Sequence, residues 1–293
     1  MFKITTLITA MALFLGGCID RNGASQSDGG RLTLKTVPSS MTVSTRNGDV
    51  AVVADPNLTS VSVVWQAHLH AGEESHAAYR AGLTSLSQDW SREGHVLLQA
   101  AFAGTDHPDD GMNLIVHVPD LNGLTIETTH GSVVTHGTQG RLTIHNRQGS
   151  IAVTDHKGDA RLATSNGSVM VNGQVGELIV QTTNGLVQVK DLVGQPHIKA
   201  TNASIGLELA PGQHGPIFLE TSNAPIEFEI GPQFAGTILA ETTNASIKLI
   251  DSANAVRRVE DGPSTKRITM DQAGQASHIR TSNADIDCRV ADL

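Results

Sequence analysis

TTNASI, residues 242–247, has close relatives along the whole second half of the chain: TSNGSV at 164–169, TTNGLV at 182–187, TNASI at 201–205, TSNAPI at 221–226 and TSNADI at 281–286. With the third residue of each unit as position zero, the zeros fall at His130, Gln148, Asn166, Asn184, Asn202, Asn223, Asn244 and Asn283. Four steps of 18 residues are followed by two of 21 and one of 39. Three places past zero stand Val133, Ile151, Val169, Val187, Ile205, Ile226, Ile247 and Ile286, all β-branched and aliphatic. Positions −4 and +5 are mostly apolar too, with polar neighbours between. That period of two marks strands with one buried face. Each unit therefore holds two short strands around an Asn-small corner. A second corner falls at Gly140, Gly158, Gly176, Gly194 and Gly212. A single unit cannot bury its own apolar side, so equivalent positions must stack about 4.8 Å apart. The expected fold is all-β: a single-chain β-solenoid of about 18–21 residues per coil, of either hand, with its repeat array over 121–293.

One further coil stands upstream. MTVSTRNGDVAV at 41–52 fills the same columns, which assigns 32–56 to a first coil with Asn47 at its corner. Residues 57–120 break the pattern and read as an insertion that caps the open strand edges. Within it, EESHAAYRAGLTSLS at 73–87 has acids in its first turn and is the one expected helix. The 39-residue step contains VRRVEDGPSTKRITM, an excursion that is either a hairpin or an extra irregular coil.

The first residues tell of an address. Lys3 precedes an apolar run from Leu7 to Leu15, too short to span a bilayer, so 1–17 reads as a secretory signal peptide. Leu15-Gly16-Gly17-Cys18 resembles the lipobox of bacterial lipoproteins, which implies acylation of Cys18 and an anchor in a membrane. Ile19 behind it favours the outer membrane, and the Gly- and Ser-rich segment 18–31 reads as a flexible tether. The other cysteine, Cys288, is then left without a partner and falls in the +5 core column. The net charge of −9 argues against nucleic acid as a partner.

The signal peptide, the first NG coil, the strand–helix–strand insertion, the HVP run at 117–119 and the TxNG ladder together resemble the bacterial putative-adhesin β-solenoid family, over about residues 31–293. The family is a domain of undefined biochemical role. The resemblance implies the fold and an envelope location but carries no catalytic residue. The late coils depart from it by using Asn-Ala.

Candidate chemistry is sparse. His68, His70, His130, His136, His145 and His156 sit in columns that do not converge, so they read as solvated side chains rather than zinc ligands. Glu208, Glu227 and Glu229 form an outward acidic patch on neighbouring coils, with Lys190, Lys248 and Arg289 in the same columns as ion-pair partners; Glu220 and Glu241 stack on the other strand. Acids about one coil apart approach the geometry of a glycoside hydrolase. Yet Trp65, Tyr79 and Trp90, the residues that could hold a sugar, all lie in the insertion. No catalytic, cofactor or metal residue is assigned. Asn47, Asn166, Asn184, Asn202, Asn223, Asn244 and Asn283 are expected to form a corner ladder of side-chain amides. Ala after Asn in four coils implies that Asn takes the left-handed conformation, so that its neighbour need only be small. The expected function is a non-enzymatic, adhesin-like binding or scaffold protein of the envelope, with an unknown protein or glycan partner. The rivals are a polysaccharide-active enzyme using the acidic patch and an envelope-stress or signalling module.

Overall fold

In the computed structural model, residues 26–69, 85–90, 94–101, 110–270 and 272–291 are described. Every regular element among them is a strand, and the sheets are open. The chain falls into two compact units, Met1–Val134 and Thr135–Leu293.

The first unit contains β1 (Gln26–Leu34), β2 (Ser40–Asn47), β3 (Val50–Ala54), β4 (Val61–Leu69), β5 (Ser85–Trp90), β6 (His95–Ala101), β7 (Gly111–Val118) and β8 (Gly123–His130). β2 pairs in parallel with both β6 and β8, so the strand that comes early in the chain lies between two that come later. β3 pairs in parallel with β7. The far edges of β6 and β7 are covered by antiparallel strands: β5 on β6, and β4 then β1 on β7. This hides the unpaired N–H and C=O groups that would otherwise template aggregation. The expectations for this region change in two ways. Residues 73–84 of the expected helix lie outside the described residues, while Ser85–Trp90 is a strand. The stretch 26–31, assigned from composition to a flexible tether, belongs to β1. Its glycines have a packing role. Gly30 is the register partner of Trp65, and a Cβ there would stand 2.6 Å from the indole. The aromatic side chain covers the bare backbone of the glycine strand.

β9 (Val133–His136) leads into the second unit, which contains β10 (Arg141–Gln148), β11 (Ile151–Thr154), β12 (Ala160–Asn166), β13 (Val169–Asn172), β14 (Leu178–Leu192), β15 (Pro196–Lys199), β16 (Asn202–Leu209), β17 (Phe218–Glu220), β18 (Ile226–Ile230), β19 (Ala235–Glu241), β20 (Ile247–Asp251), β21 (Val256–Asp261), β22 (Thr265–Met270), β23 (Gln272–Arg280) and β24 (Ile286–Val290). Parallel ladders join equivalent residues of successive repeats: Ile144 with Leu162, Leu162 with Val180, Val180 with Ile198. The inward columns are fully buried, as at Ile151, Val169, Val187 and Ile226. Each such side chain contributes about 1.5–3 kcal/mol of transfer free energy. Cys288 continues the +5 column, buried and free, its thiol pushed up to about 12 by burial.

The repeats do not stack in chain order. β18 pairs with β24, and β24 pairs with β20. In the other ladder β17 pairs with β23, and β23 with β19. The last repeat is thus inserted between the two that precede it. The 39-residue step is a hairpin: β21 and β22 are antiparallel, and β22 covers the outer edge of β19.

The corners come in two designs, which corrects the expected one. Among the described corners the positive φ falls on glycine, 133° at Gly131 and 127° at Gly185, and on no corner Asn or Ala. In the Ala224, Ala245 and Ala284 repeats the corner is bonded to its neighbour differently, whereas Ala203 still pairs in strand register with Gly185. The Thr201 carbonyl accepts both the Ser222 and Asn223 N–H groups, and the Ser222 carbonyl accepts those of Ser282 and Asn283. No corner alanine has a positive φ, so alanine is unstrained there. The buried Thr two places before the corner donates to the alanine carbonyl of the adjacent repeat, as from Thr221 to Ala203 at 3.1 Å and from Thr281 to Ala224 at 3.2 Å.

Besides the Thr column before the corner, a second inward column of the second unit is largely polar. Thr138, His156, Gln174 and Leu192 succeed one another in it, and His156 is buried rather than solvated as expected. Its Nδ1 meets Thr138 Oγ1 at 2.9 Å. Burial pulls the His156 imidazole below its ordinary value of 6.5, outweighing nearby hydrogen bonds that act the other way. The folded state therefore holds this proton less tightly than the unfolded chain. Its contribution to stability is whole above pH 6.5 and is lost as pH falls through the lowered folded value. His156→Leu, which copies Leu192, should flatten the dependence. Urea midpoints at about pH 7.5 and about pH 5 test this; equal slopes for wild type and variant would count against it.

Candidate functional site

The corner asparagines form a continuous amide ladder in the second unit. Each Nδ2 donates to the next Oδ1: Asn184 to Asn166 (2.8 Å), Asn202 to Asn184 (3.1 Å), Asn223 to Asn202 (2.8 Å), Asn283 to Asn223 (2.8 Å) and Asn244 to Asn283 (2.7 Å). In the first unit Asn47 Oδ1 meets His130 Nδ1 at 2.9 Å. The amides are consumed by one another, which makes them a structural clamp. The ladder also records the spatial order of the repeats, with Asn283 between Asn223 and Asn244.

The acidic patch lies on the β14–β16–β18–β24 ladder. Glu208 is the register partner of Glu229, and Glu227 lies beside Gly206 and Asp287. The missing side chain at Gly206 leaves a shallow depression of about 140 Å³ between Gln188 and Glu227. Lys190 Nζ stands 3.9 Å from Glu208, and Arg289 is register partner to Glu229. Glu227 is exposed, and Glu208 and Glu229 are half-buried. A general acid needs a carboxyl lifted by a dry, apolar pocket, which this open, ion-paired surface does not provide.

A second face is chemically richer. Position −5 carries Arg161, Ile179, His197, Phe218, His278 and Leu239, in that spatial order. The His197 and Phe218 rings stack with centroids 4.5 Å apart, and Phe218 and His278 with centroids 6.0 Å apart at 8°. Near-parallel rings at 6.0 Å are slid past one another, because rings in direct face contact would be closer. The neighbouring outward column at −3 carries Gln181, Lys199, Glu220, Arg280 and Glu241. Lys199 and Glu220 are paired at 3.1 Å. The insertion of β23 places Arg280 between Glu220 and Glu241, which corrects the expectation that those two glutamates are neighbours. Together the two columns line a groove of about 480 Å³. The aromatic residues of the insertion therefore have a counterpart here in Phe218 and its flanking imidazoles. Its signal in the sequence is the −5 column, which changes from Thr125 and Thr143 to Ile179, His197 and Phe218.

Of the other sequence candidates, Cys18 and His70 lie outside the described residues. His68 Nε2 meets Asn113 Nδ2 at 2.7 Å, and His136 lies 3.8 Å from Asp155. Among the described residues no three His, Cys, Asp or Glu side chains converge as a metal site.

No family model and no curated protein matches the chain. Among solved structures it is similar to a "putative cell adhesion protein" of Clostridium sporogenes, at 9% identity and TM-score 0.23, covering 90% of this chain and 100% of that one. It is similar to a "putative adhesin" of Parabacteroides distasonis at 12% identity and TM-score 0.42, covering 91% and 98%. A "putative adhesin" of Parabacteroides merdae follows at 11% identity and TM-score 0.40, covering 91% and 97%. The neighbours are bacterial and carry adhesin names. With TM-scores below 0.5, none of them fixes this fold or lends it an activity.

Proposed function

We propose that the chain is a β-solenoid of the bacterial cell envelope, anchored by lipid on Cys18 and acting as a non-enzymatic, adhesin-like binding or scaffold surface. In-register parallel pairing at an 18-residue offset, continued through the second corner from Lys157 to Val175 to Val193, supports the coiled reading. The observation that carries the binding role is the outward His197–Phe218–His278 row, held on a hydrogen-bonded ladder beside a row of alternating charges. The open setting of the acidic patch, with Glu227 exposed and Glu208 beside Lys190, supports a surface that does not catalyse. The first strand begins eight residues after Cys18, so the tether spans no more than about 30 Å and keeps that strand near the bilayer.

Wild-type protein should sediment with membranes and incorporate a fatty-acid label, whereas Cys18→Ser should do neither. The Cys18→Ser form should be retained on isolated envelope material, and Phe218→Ala in that background should lose retention. Release of oligosaccharide by wild type but not by Glu227→Gln would overturn the non-enzymatic reading.

A further inference from the structure

We propose that the groove over β14, β15, β17, β23 and β19 takes a neutral oligosaccharide running along the ladder. This rests on the reading of that face as a binding surface and adds the class of its ligand. Three observations point to it.

The first is size. The groove of about 480 Å³ falls in the range of small-ligand sites, about 300–1,000 Å³. Its apolar strip is a single column of side chains, bordered on one side by a column of charged and amide side chains. A stable protein partner needs a broad patch of about 1,000 Å² or more. The face suits a slender ligand.

The second is period. The ladder repeats every ~4.8 Å, whereas same-face side chains of an extended peptide repeat every ~6.8 Å, so a peptide laid along it falls out of step. A pyranose linked through opposite ring carbons advances by one ring plus its bridging oxygen, roughly one ladder step. Successive sugars would meet successive side chains of the row, with Phe218 and His278 offering the partly uncovered faces of a slid stack.

The third is charge. The flanking column reads Lys199, Glu220, Arg280, Glu241, alternating in sign. Lys199 and Glu220 already compensate one another at 3.1 Å. A strongly charged polymer gains as much repulsion as attraction along such a row. A neutral, polyhydroxylated chain finds donors and acceptors in alternation, with its C–H faces on the ring row and its hydroxyls on the charged row. The pairing of an apolar strip with a hydrogen-bonding strip is the complement of a sugar's two kinds of surface.

The test is calorimetric titration of the full chain with chitohexaose, cellohexaose and oligogalacturonate. The expected result is saturable binding of at least one neutral hexamer, stronger than of its dimer. Phe218→Ala should weaken it about tenfold or more. The exposed variant His278→Ala should weaken it in the same direction and guards against misfolding of the Phe218 variant. Glu208→Gln, on the other ladder, should leave it unchanged. No binding of either neutral hexamer, binding of oligogalacturonate alone, or binding indifferent to both ring variants would overturn the inference. If Phe218→Ala still abolishes retention on envelope material while no neutral sugar binds, the glycan inference fails and the binding-face reading stands.

Discussion

Gly185→Ala is expected to destabilise the second unit by about 3–5 kcal/mol, combining backbone strain with overpacking. Gly185 has φ 127°, which an L side chain rarely adopts, and a Cβ there would lie 2.4 Å from the Gly167 carbonyl oxygen. That oxygen is backbone in a hydrogen-bonded ladder and cannot swing away. Gly167→Ala separates the two causes. Gly167 is not at positive φ, yet its Cβ would stand 2.0 Å from the Gly149 oxygen, so only the steric part remains. The reverse change, Ala203→Gly, should cost no more than about 1 kcal/mol, the entropic penalty of glycine. Urea unfolding read by circular dichroism measures all three. A Gly185→Ala protein as stable as Ala203→Gly would show that the Gly185 corner tolerates a side chain, against its φ and the 2.4 Å approach to Gly167.

Ending the chain after Met270 should do more damage than the loss of one terminal repeat. β23 and β24 lie between β17–β18 and β19–β20, so their removal strips partners from four strands at once. Ile226 and Ile247 would both face the place of Ile286, which is now fully buried. Hydrogen exchange should show protection lost across β17, β18, β19 and β20. In a chain-order stack only the repeat next to the missing end would lose it, and that result would refute the inserted order. Ile286→Asp offers a point-mutant version. A carboxylate placed between Ile226 and Ile247 without a partner is expected to cost about 3–5 kcal/mol or to prevent folding of this unit.

Much of the local structure was legible in the sequence. Val133, Ile151, Val169 and their equivalents face inward because a strand alternates its faces and these columns bury apolar side chains against one another. The corner positions were legible for a similar reason, since the chain must turn at fixed intervals. The conformation at the corner was not. Asn-Gly and Asn-Ala look alike in sequence, yet the first puts positive φ on glycine, as at Gly131 and Gly185, while beside Ala224 and Ala284 the Ser and Asn N–H groups share one carbonyl of the neighbouring repeat. His156 was equally hidden: its column is apolar at Leu192 and polar elsewhere, so the spacing did not reveal that it points inward. Gly29 and Gly30 resembled a linker because their role depends on Trp65, thirty-five residues beyond Gly30.

The candidate face shows the same division. The sequence by itself determined that His197, Phe218, Leu239 and His278 share an outward column, because register follows from the repeat. In chain order Leu239 would separate Phe218 from His278, and Glu220 would meet Glu241. Only the tertiary structure decided that the last repeat enters between its predecessors, bringing His278 against Phe218 and Arg280 between the two glutamates. The reason is physical. Every repeat offers the same apolar columns and the same corner Asn, so locally any repeat is an acceptable neighbour for any other. The choice falls to long-range interactions: β22 covering the edge of β19, the register of Arg280 between Glu220 and Glu241, and the ring stack itself. None of these is a property of a single repeat.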